Sequence, residues 1–250
     1  IMLLYLLYWL LAPILWILLF PACLFNNKIR HHWVNERKTW RSVEKKWKEQ
    51  KNGKIVVLFH AASTGEFEQL KPILKKMDRK RFFIIQSFFS YTVFNIEKNT
   101  PLADTTCYHP FDLFWLSLQL FTVIKPTKYI ITRHDIWPGH IIIAKALKIP
   151  IYYINANIHK NSIWMRPFMK SFSTYLFNKL DQIIVPSDTI ANNLYNLNVS
   201  KKKIFICTDS RFAQIVYRKE KNQQTKLLPD LFFNNQTIIF GSIDRKDEDI

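Results

Sequence analysis

Glycine is scarce in this chain, with four in 250 residues: Gly53, Gly65, Gly139 and Gly241. Their spacing cannot build the G-x-G-x-x-G loop of dinucleotide-binding proteins or the glycine-rich Walker A loop. The sequence therefore excludes nicotinamide-dependent enzymes of that type and P-loop ATPases.

Cysteine is also scarce. Cys23, Cys107 and Cys207 are odd in number, far apart and without C-x-x-C or Cys/His spacing. Neither a disulfide framework nor a structural zinc site is expected, and a reducing compartment is favoured. His134 and His140 lack the spacing of H-E-x-x-H, so we expect no metal site.

Acidic side chains are few relative to basic ones, with 19 Asp and Glu against 36 Lys and Arg, a net charge of +17. That charge predicts an anionic partner, which is nucleic acid, an acidic membrane surface or a phosphorylated substrate. Nucleic acid ranks lowest, because no RRM, KH or helix-turn-helix signature is present. Hydrophobic residues make up 48% of the chain, which excludes wholesale disorder.

Charged side chains are absent from residues 1–27. A helix of about 25 residues is about 37 Å long, enough to cross a hydrocarbon core of about 30 Å. We predict a membrane anchor over residues 1–27, which either spans the bilayer or, because Pro13 interrupts it, lies in one leaflet. A removed signal peptide or a buried core helix is the less favoured alternative, since a basic n-region and an A-x-A site are lacking.

Residues 28–53 are strongly basic, which by the positive-inside rule places the rest of the chain in the cytoplasm. Trp33, Trp40 and Trp47 recur every seven residues and form one stripe on a helix. Two interpretations remain open. The stripe lies against the headgroups of anionic lipid, or it packs on the globular domain.

Short apolar runs alternate with helical periodicity from residue 54 onwards. The runs predict strands near residues 54–59, 82–86, 105–108, 128–131, 151–154, 182–185, 204–207 and 237–240. Helical patterns lie at residues 112–123, 139–148, 163–179 and 189–197, and another follows the first strand. This alternation predicts a doubly wound α/β domain with a parallel sheet and helices on both faces. Ligands of such domains bind at the carboxyl ends of the strands.

The loop after the first strand, residues 60–69, has the sequence HAASTGEFEQ. Ser63 and Glu66 fit the capping box S/T-x-x-E, and this structural interpretation is favoured when the loop is taken alone. Alternatively, the helix N-terminus holds an anion and Glu66 acts as a general base. Glu68 lies on another side of the helix and cannot face Glu66 as a partner.

The loop at residues 133–140, RHDIWPGH, follows the fourth strand. Asp135 is a candidate cap for a helix with Pro138 in its first turn. The loop at residues 155–162, NANIHKNS, is rich in hydrogen-bonding groups, as loops usually are.

Several motifs together resemble the 3-deoxy-D-manno-octulosonic acid (Kdo) transferases of lipid A assembly. They are HAASTGEFEQ at 60–69, DIWP at 135–138, NA at 155–156, DSRF at 209–212 and GS at 241–242. The resemblance implies a GT-B-type fold, with two Rossmann-like domains and an active site between them. It also implies an inverting glycosyltransferase at the cytoplasmic face of the inner membrane that uses no metal or other cofactor. The donor would be CMP-Kdo and the acceptor a phosphorylated lipid A precursor, lipid IVA.

Carried over by position, the resemblance makes Glu66 the catalytic base and Asp135, which matches a family glutamate, a second catalytic residue. It assigns acceptor binding to Ser63, Thr64, Gly65, Trp137 and Asn155, and donor binding to Arg211, Gly241 and Ser242. The sequence departs from the family at Asp135, which is one methylene shorter than glutamate. It departs again at Ala213, where an aspartate often follows Arg-Phe.

The predicted domain organisation has five parts. They are an anchor at 1–27, a basic aromatic membrane-proximal helix at 28–53, a Rossmann-like acceptor-binding domain at 54–212, a linker at 213–236 and the first strand of a truncated donor-binding domain at 237–250. Because the family's chain is longer, most of the C-terminal domain is expected to be absent and this fragment alone to be inactive. Two rival functions remain. One is a GT-B enzyme that uses another nucleotide sugar, and the other is a non-catalytic, basic, membrane-tethered binding domain.

Overall fold

The computed structural model describes residues 2–50 and 52–222, together with residues 232 and 236. The chain divides into two units, Ile1–Gln214 and Ile215–Ile250. The expected strand at 237–250, with Gly241 and Ser242, lies outside the described residues.

Seven parallel strands form one sheet in the order β3-β2-β1-β4-β5-β6-β7. Their bounds are β1 Ile55–Ala61, β2 Phe82–Phe88, β3 Thr105–Tyr108, β4 Lys128–Thr132, β5 Ile151–Ile154, β6 Gln182–Val185 and β7 Ile204–Ile206. The predicted parallel sheet is confirmed. The strand order reverses between β1 and β4, which is the point where doubly wound sheets open a crevice for ligands.

Helices connect and flank the strands. They are α1 Met2–Phe25, α2 Asn27–Gln50, α3 Thr64–Lys76, α4 Tyr91–Glu97, α5 Phe114–Ile124, α6 Pro138–Ala146, α7 Lys170–Phe177, α8 Asp188–Asn196 and α9 Ser210–Asn222. Where one helix was predicted over 163–179, two 3-10 turns precede α7, and Pro167 begins the second turn. The expected linker at 213–236 begins inside α9.

Two apolar cores lie on opposite faces of the sheet. Leu58 of β1 belongs to one core, whereas its neighbours Val57 and Phe59 belong to the other, as the alternation of side chains along a strand requires. Helices α2, α5, α6, α7 and α8 contribute to the first core, and α3 and α4 to the second. The prediction of helices on both faces is therefore confirmed.

The tryptophan stripe of α2 packs on the globular domain. Trp40 is 1% exposed, and its Nε1 donates a hydrogen bond to the Tyr108 carbonyl oxygen of β3 at 2.7 Å. Trp47 is also buried, and the ring centroid of Trp33 lies 6.4 Å from that of Phe111. Of the two interpretations of the stripe, the structure shows the second.

Helix α1 carries many exposed apolar side chains, among them Leu10, Ile17 and Phe25, which is 89% exposed. Within the part of the chain that the structure describes, no helix has both the length and the hydropathy that crossing a membrane requires. The predicted anchor is therefore not confirmed. The Tyr8 hydroxyl of α1 donates to the carbonyl and carboxylate oxygens of Asp112, in the loop between β3 and α5.

Candidate active site

The loops that leave β1 and β4 lie side by side at the point where the strand order reverses. His60 of β1 is in register with Ile131 of β4. The β1 loop leads into α3 with Glu66 in its first turn, and the β4 loop carries Asp135. The structure thus brings the two predicted catalytic carboxylates to one edge of the sheet.

Glu66 closes a capping box at the start of α3. Its Oε2 accepts hydrogen bonds from the backbone N–H groups of Ala62 at 2.7 Å and Ser63 at 3.3 Å. The Ser63 hydroxyl oxygen accepts in return from the Glu66 N–H at 3.4 Å. The capping interpretation of this loop is therefore confirmed. Both bonds use Oε2, so the box does not engage Oε1.

The pKa of Glu66 lies above the ordinary range of a glutamate. Burial is the largest cause, because the residue is only 5% exposed, and the negative charge of Asp135 adds to it. His60 and the N–H groups of Ala62 and Ser63 act in the opposite direction. A helix N-terminus alone would lower the pKa of a carboxyl and weaken it as a base. Burial prevails here, which leaves Glu66 a stronger base than an exposed glutamate.

Asp135 has a different partner. Its Oδ2 lies 2.6 Å from Nε2 of His60, a fully buried side chain of β1. Burial raises the pKa of Asp135, but the hydrogen bond and charge of His60, together with Trp137 and His140, outweigh it, and the net pKa is lowered. Asp135 is therefore a carboxylate at neutral pH.

Asp135 does not cap α6, so that alternative interpretation is wrong. The N-cap position is occupied by Trp137, whose side chain makes no capping bond. Asp112 caps the helix instead, because its carboxylate accepts from the N–H groups of Gly139 at 3.0 Å and His140 at 2.9 Å. A cap supplied from a different loop leaves no local spacing for sequence reasoning to find.

Buried imidazoles and hydroxyls lie behind the two carboxylates. His60 Nδ1 lies 3.2 Å from Ser87 Oγ, and Ser87 Oγ lies 3.1 Å from His109 Nδ1. Tyr129 OH lies 3.1 Å from His109 Nε2. The His60 and His109 rings stack with centroids 3.7 Å apart, and the His140 ring is 4.4 Å from that of His109.

Of this cluster, sequence reasoning placed only His60 in a motif, as its first residue, and considered His140 only as a metal ligand that lacks the required spacing. The other members come from β2, β4, α6 and the end of β3, and no motif joins them. Burial lowers the pKa of His109 well below its ordinary value and that of His140 to about 3, so both rings are neutral. Among the described residues, no group of His, Cys, Asp and Glu side chains is arranged to hold a metal ion.

Asn155 joins the sheet to the start of α9. It follows β5 directly with φ 50°, a left-handed conformation that asparagine tolerates well. Its Nδ2 donates to Ser210 Oγ at 2.7 Å, and Ser210 Oγ donates to the Gln69 carbonyl oxygen of α3 at 2.7 Å. Its side-chain amide therefore fastens α9 and α3 to the carboxyl edge of the sheet.

The remaining predicted site residues lie in separate places. Ser63, Thr64 and Gly65 surround the start of α3, beside Glu66. Trp137 is partly buried before α6, with its ring centroid 5.6 Å from that of Phe89. The Arg211 guanidinium pairs with Asp209 at 2.9 Å and is half exposed. Of the predicted donor-binding residues, the structure describes Arg211 alone.

Two solved structures show the same fold. The chain aligns with UDP-N-acetylglucosamine 2-epimerase from Rickettsia bellii at a TM-score of 0.55 and 14% identity, over 71% of this chain and 51% of that one. It aligns with UDP-GlcNAc 2-epimerase from Methanocaldococcus jannaschii at a TM-score of 0.50 and 15% identity, over 74% and 54% of the two chains. At these identities the likeness concerns the fold alone.

Curated relatives are similar over much of the sequence. The 3-deoxy-D-manno-octulosonic acid transferase of Chlamydia muridarum is 25% identical over 240 residues, which are 92% of this chain and 54% of the relative. That of Aquifex aeolicus is 27% identical over 164 residues, 65% of this chain and 42% of the relative. The chain thus spans about half the length of the curated relatives it matches.

A family profile described as 3-deoxy-D-manno-octulosonic-acid transferase (kdotransferase) matches residues 33–214. This match covers most of the chain, from α2 through the last strand of the sheet and into α9. It includes the capping-box loop, the β4 loop and Asn155. The chain belongs to the Kdo transferase family.

Proposed function

We propose that this protein is a glycosyltransferase that moves Kdo from CMP-Kdo to a lipid A precursor, lipid IVA, with inversion at the anomeric carbon. The observation that carries the proposal is the nearly buried Glu66, held at the edge of the sheet where its pKa is raised. Membership of the Kdo transferase family supports the choice of Kdo as the transferred sugar.

Inversion in one step requires one base and a leaving group on the opposite face of the sugar. Glu66 takes the proton of the acceptor hydroxyl as that oxygen bonds to the anomeric carbon. The bond from that carbon to the phosphate oxygen of CMP breaks, and its electron pair leaves with the nucleotide. A carboxyl with a raised pKa suits this step, because proton transfer is most efficient when the base has a pKa near the working pH.

The neighbours of Glu66 supply the acceptor side of the proposal. We assign Ser63, Thr64, Gly65 and Trp137 to the acceptor because they flank the carboxylate in the β1 and β4 loops. Asn155 contributes by fixing the next loop along the edge. On the donor side, we assign the phosphate to Arg211, whose guanidinium is half exposed.

The proposed place of action is the cytoplasmic face of the inner membrane. Exposed apolar side chains of α1 are followed directly by the basic residues that begin α2, including Lys28 and Arg30. Apolar area and cations side by side suit attachment to a bilayer that contains anionic lipid. Release by high salt alone would favour attachment through the basic residues only.

The test is transfer of labelled Kdo from CMP-Kdo to lipid IVA by the full-length protein. Glu66→Gln should reduce kcat by about 10²- to 10⁴-fold, the usual contribution of a general base. Glu68→Gln is the matched control, because Glu68 pairs with Lys71 at 2.7 Å and should leave the rate near that of the wild type.

Three outcomes would contradict the proposal. Turnover by Glu66→Gln within a few fold of the wild type means that Glu66 is only a helix cap. Transfer from a different nucleotide sugar, with none from CMP-Kdo, favours the rival enzyme. Binding of the lipid without transfer from any donor favours a non-catalytic binding protein.

A further inference from the structure

His60 has no part in the proposed reaction, yet it makes the shortest contact with a predicted catalytic carboxylate. We propose that His60 is a positioning residue that donates its Nε2 hydrogen to Asp135 and so holds that carboxylate, and the β4 loop with it, beside Glu66. The kinetic part of this inference rests on the proposed function. The location of the hydrogen does not.

The geometry identifies a strong, directed bond. The distance of 2.6 Å between His60 Nε2 and Asp135 Oδ2 is below the usual 2.9 Å of an N–H to oxygen hydrogen bond and is typical of an ionised acceptor. The His60 side chain is fully buried, whereas that of Asp135 is 15% exposed. The imidazole thus approaches the carboxylate from the interior, and the carboxylate keeps a side open to solvent.

The hydrogen between the two atoms belongs to His60. A carboxylate can only accept hydrogen bonds, so the ring nitrogen that faces it must be the donor. Asp135 is ionised because the bond and charge of His60 lower its pKa despite burial. The opposite tautomer would place two acceptors 2.6 Å apart.

The other side of the ring is fixed by Ser87. Its hydroxyl lies 3.2 Å from His60 Nδ1 and 3.0 Å from the Phe59 carbonyl oxygen of the neighbouring strand. A carbonyl oxygen only accepts, so the single Ser87 hydrogen is donated to Phe59, and the lone pairs of Ser87 Oγ face His60 Nδ1. Ser87 therefore fixes the far side of the ring, and the Asp135 carboxylate requires a hydrogen on Nε2.

The stacked ring of His109 restricts His60 further. Because the Ser87 hydrogen is donated to Phe59, Ser87 Oγ accepts the hydrogen of His109 Nδ1, 3.1 Å away. The neutral His109 then has no hydrogen on Nε2, which accepts from the protonated Tyr129 hydroxyl at 3.1 Å. These hydrogen bonds hold the His109 ring in place. Its centroid lies 3.7 Å from that of the His60 ring, which limits the movement of His60.

Holding Asp135 affects the base. The charge of Asp135 is one of the causes that raise the pKa of Glu66. If the β4 loop moved, Glu66 would lose part of that influence and Trp137 would shift with it. His60 thus influences Glu66 through Asp135, and its own charge also lowers the pKa of Glu66.

Two amide variants separate this role from a general structural one. The amide nitrogen of His60→Gln reaches about as far as Nε2 and can still donate to Asp135. The amide nitrogen of His60→Asn reaches only about as far as Nδ1, so it can hydrogen-bond to Ser87 but not to Asp135. We expect kcat of His60→Asn to fall about tenfold to a hundredfold with little change in KM, the usual cost of misplacing a catalytic group. His60→Gln should stay within a few fold of the wild type. Equal losses in both variants would overturn the positioning role.

A second measurement does not depend on activity. In the wild-type full-length protein with ¹⁵N-labelled histidine, the Nε2 resonance of His60 should show a directly bonded, strongly deshielded hydrogen. The Asp135→Asn variant should lose that deshielding. An unprotonated Nε2 in the wild type at neutral pH would overturn the inference even if both amide variants failed to fold. Absence of Kdo transfer by a wild type that shows the bonded hydrogen would instead contradict the proposed function alone.

Discussion

Glu66 and Asp135 occupy neighbouring loops at the same edge of the sheet, and both are largely removed from water, yet their pKa values move in opposite directions. Burial raises the pKa in both cases. Their hydrogen-bond partners differ. Glu66 accepts hydrogen bonds from two backbone N–H groups, whereas Asp135 Oδ2 lies 2.6 Å from the imidazole Nε2 of His60. At Asp135 the directly bonded His60 and its neighbours offset burial, whereas at Glu66 the charge of Asp135 adds to burial, and adjacent carboxyls become a base and a fixed anion.

Removal of the imidazole's partner should have the largest effect on stability. Asp135→Ala leaves the buried His60 facing an empty site, and we expect a loss of about 3 kcal/mol in the free energy of unfolding. Asp135→Asn should lose less, because its amide oxygen still accepts from Nε2. Urea denaturation measures both. A loss below about 1 kcal/mol for the alanine variant would mean that the pair does little to hold the β4 loop.

The corresponding change in the β1 loop should be smaller. Glu66→Ala removes the acceptor for the Ala62 and Ser63 amides and should cost about 1 kcal/mol. Glu66→Gln keeps an oxygen in the capping box and should unfold at nearly the same urea concentration as the wild type. If Glu66→Ala cost as much as Asp135→Ala, the contrast between the loops would fail.

The pH dependence of turnover tests whether Asp135 acts on Glu66 through its charge. Asp135→Asn removes a negative charge that raises the pKa of Glu66, so Glu66 should remain ionised in more acidic solution. The acid limb of kcat should therefore shift to lower pH in this variant. An acid limb of kcat that stayed in place, or moved to higher pH, would show that the charge of Asp135 does not raise the pKa of Glu66.

The smallest effect is the pH dependence of stability, where the two loops should differ in sign. The raised pKa of Glu66 means that its ionised form costs stability, a cost that disappears as pH falls through that pKa towards the ordinary value of 4.5. The lowered pKa of Asp135 contributes stability above its ordinary value of 3.8, which is lost as pH falls below it. Differences between the wild type and the Glu66→Gln and Asp135→Asn variants, measured from pH 7 downwards by urea unfolding, should slope in opposite directions. Parallel slopes would contradict the assigned pKa directions.

Sequence patterns predicted what depends on neighbours along the chain. The capping box at Ser63 and Glu66 and the strand at Ile151–Ile154 follow from local spacing, and the carboxyl-end rule for parallel strands selected the loops that carry Glu66 and Asp135. Helix α4 was missed because its seven residues are too short to show a period. The stripe of α2 was ambiguous, because a helix that faces lipid and one that faces protein share the same apolar spacing.

The buried cluster could not be predicted, for a different reason. His60, Ser87, His109 and Tyr129 come from separate segments, and the sheet brings them together only after its strands pair. Each has an ordinary local context, a polar residue in or next to an apolar strand. Hydrogen bonds between residues that are distant in the sequence create no periodic pattern that could be recognised. A histidine within a continuous apolar strand, such as His60, does indicate that a buried hydrogen-bond partner must exist.

Asp112 connects the apolar helix α1 to the start of α6. Its carboxylate accepts a hydrogen bond from the Tyr8 hydroxyl. It also accepts hydrogen bonds from the backbone N–H groups of Gly139 and His140, the residues that follow Trp137 and Pro138. A Cβ on Gly139 would lie 2.5 Å from Asp112 Oδ1, so there is no room for a side chain at this position. Asp112 therefore contacts both α1 and the first turn of α6, directly after Trp137. Burial raises the pKa of Asp112 to about 6, so this carboxyl becomes protonated in mildly acidic solution.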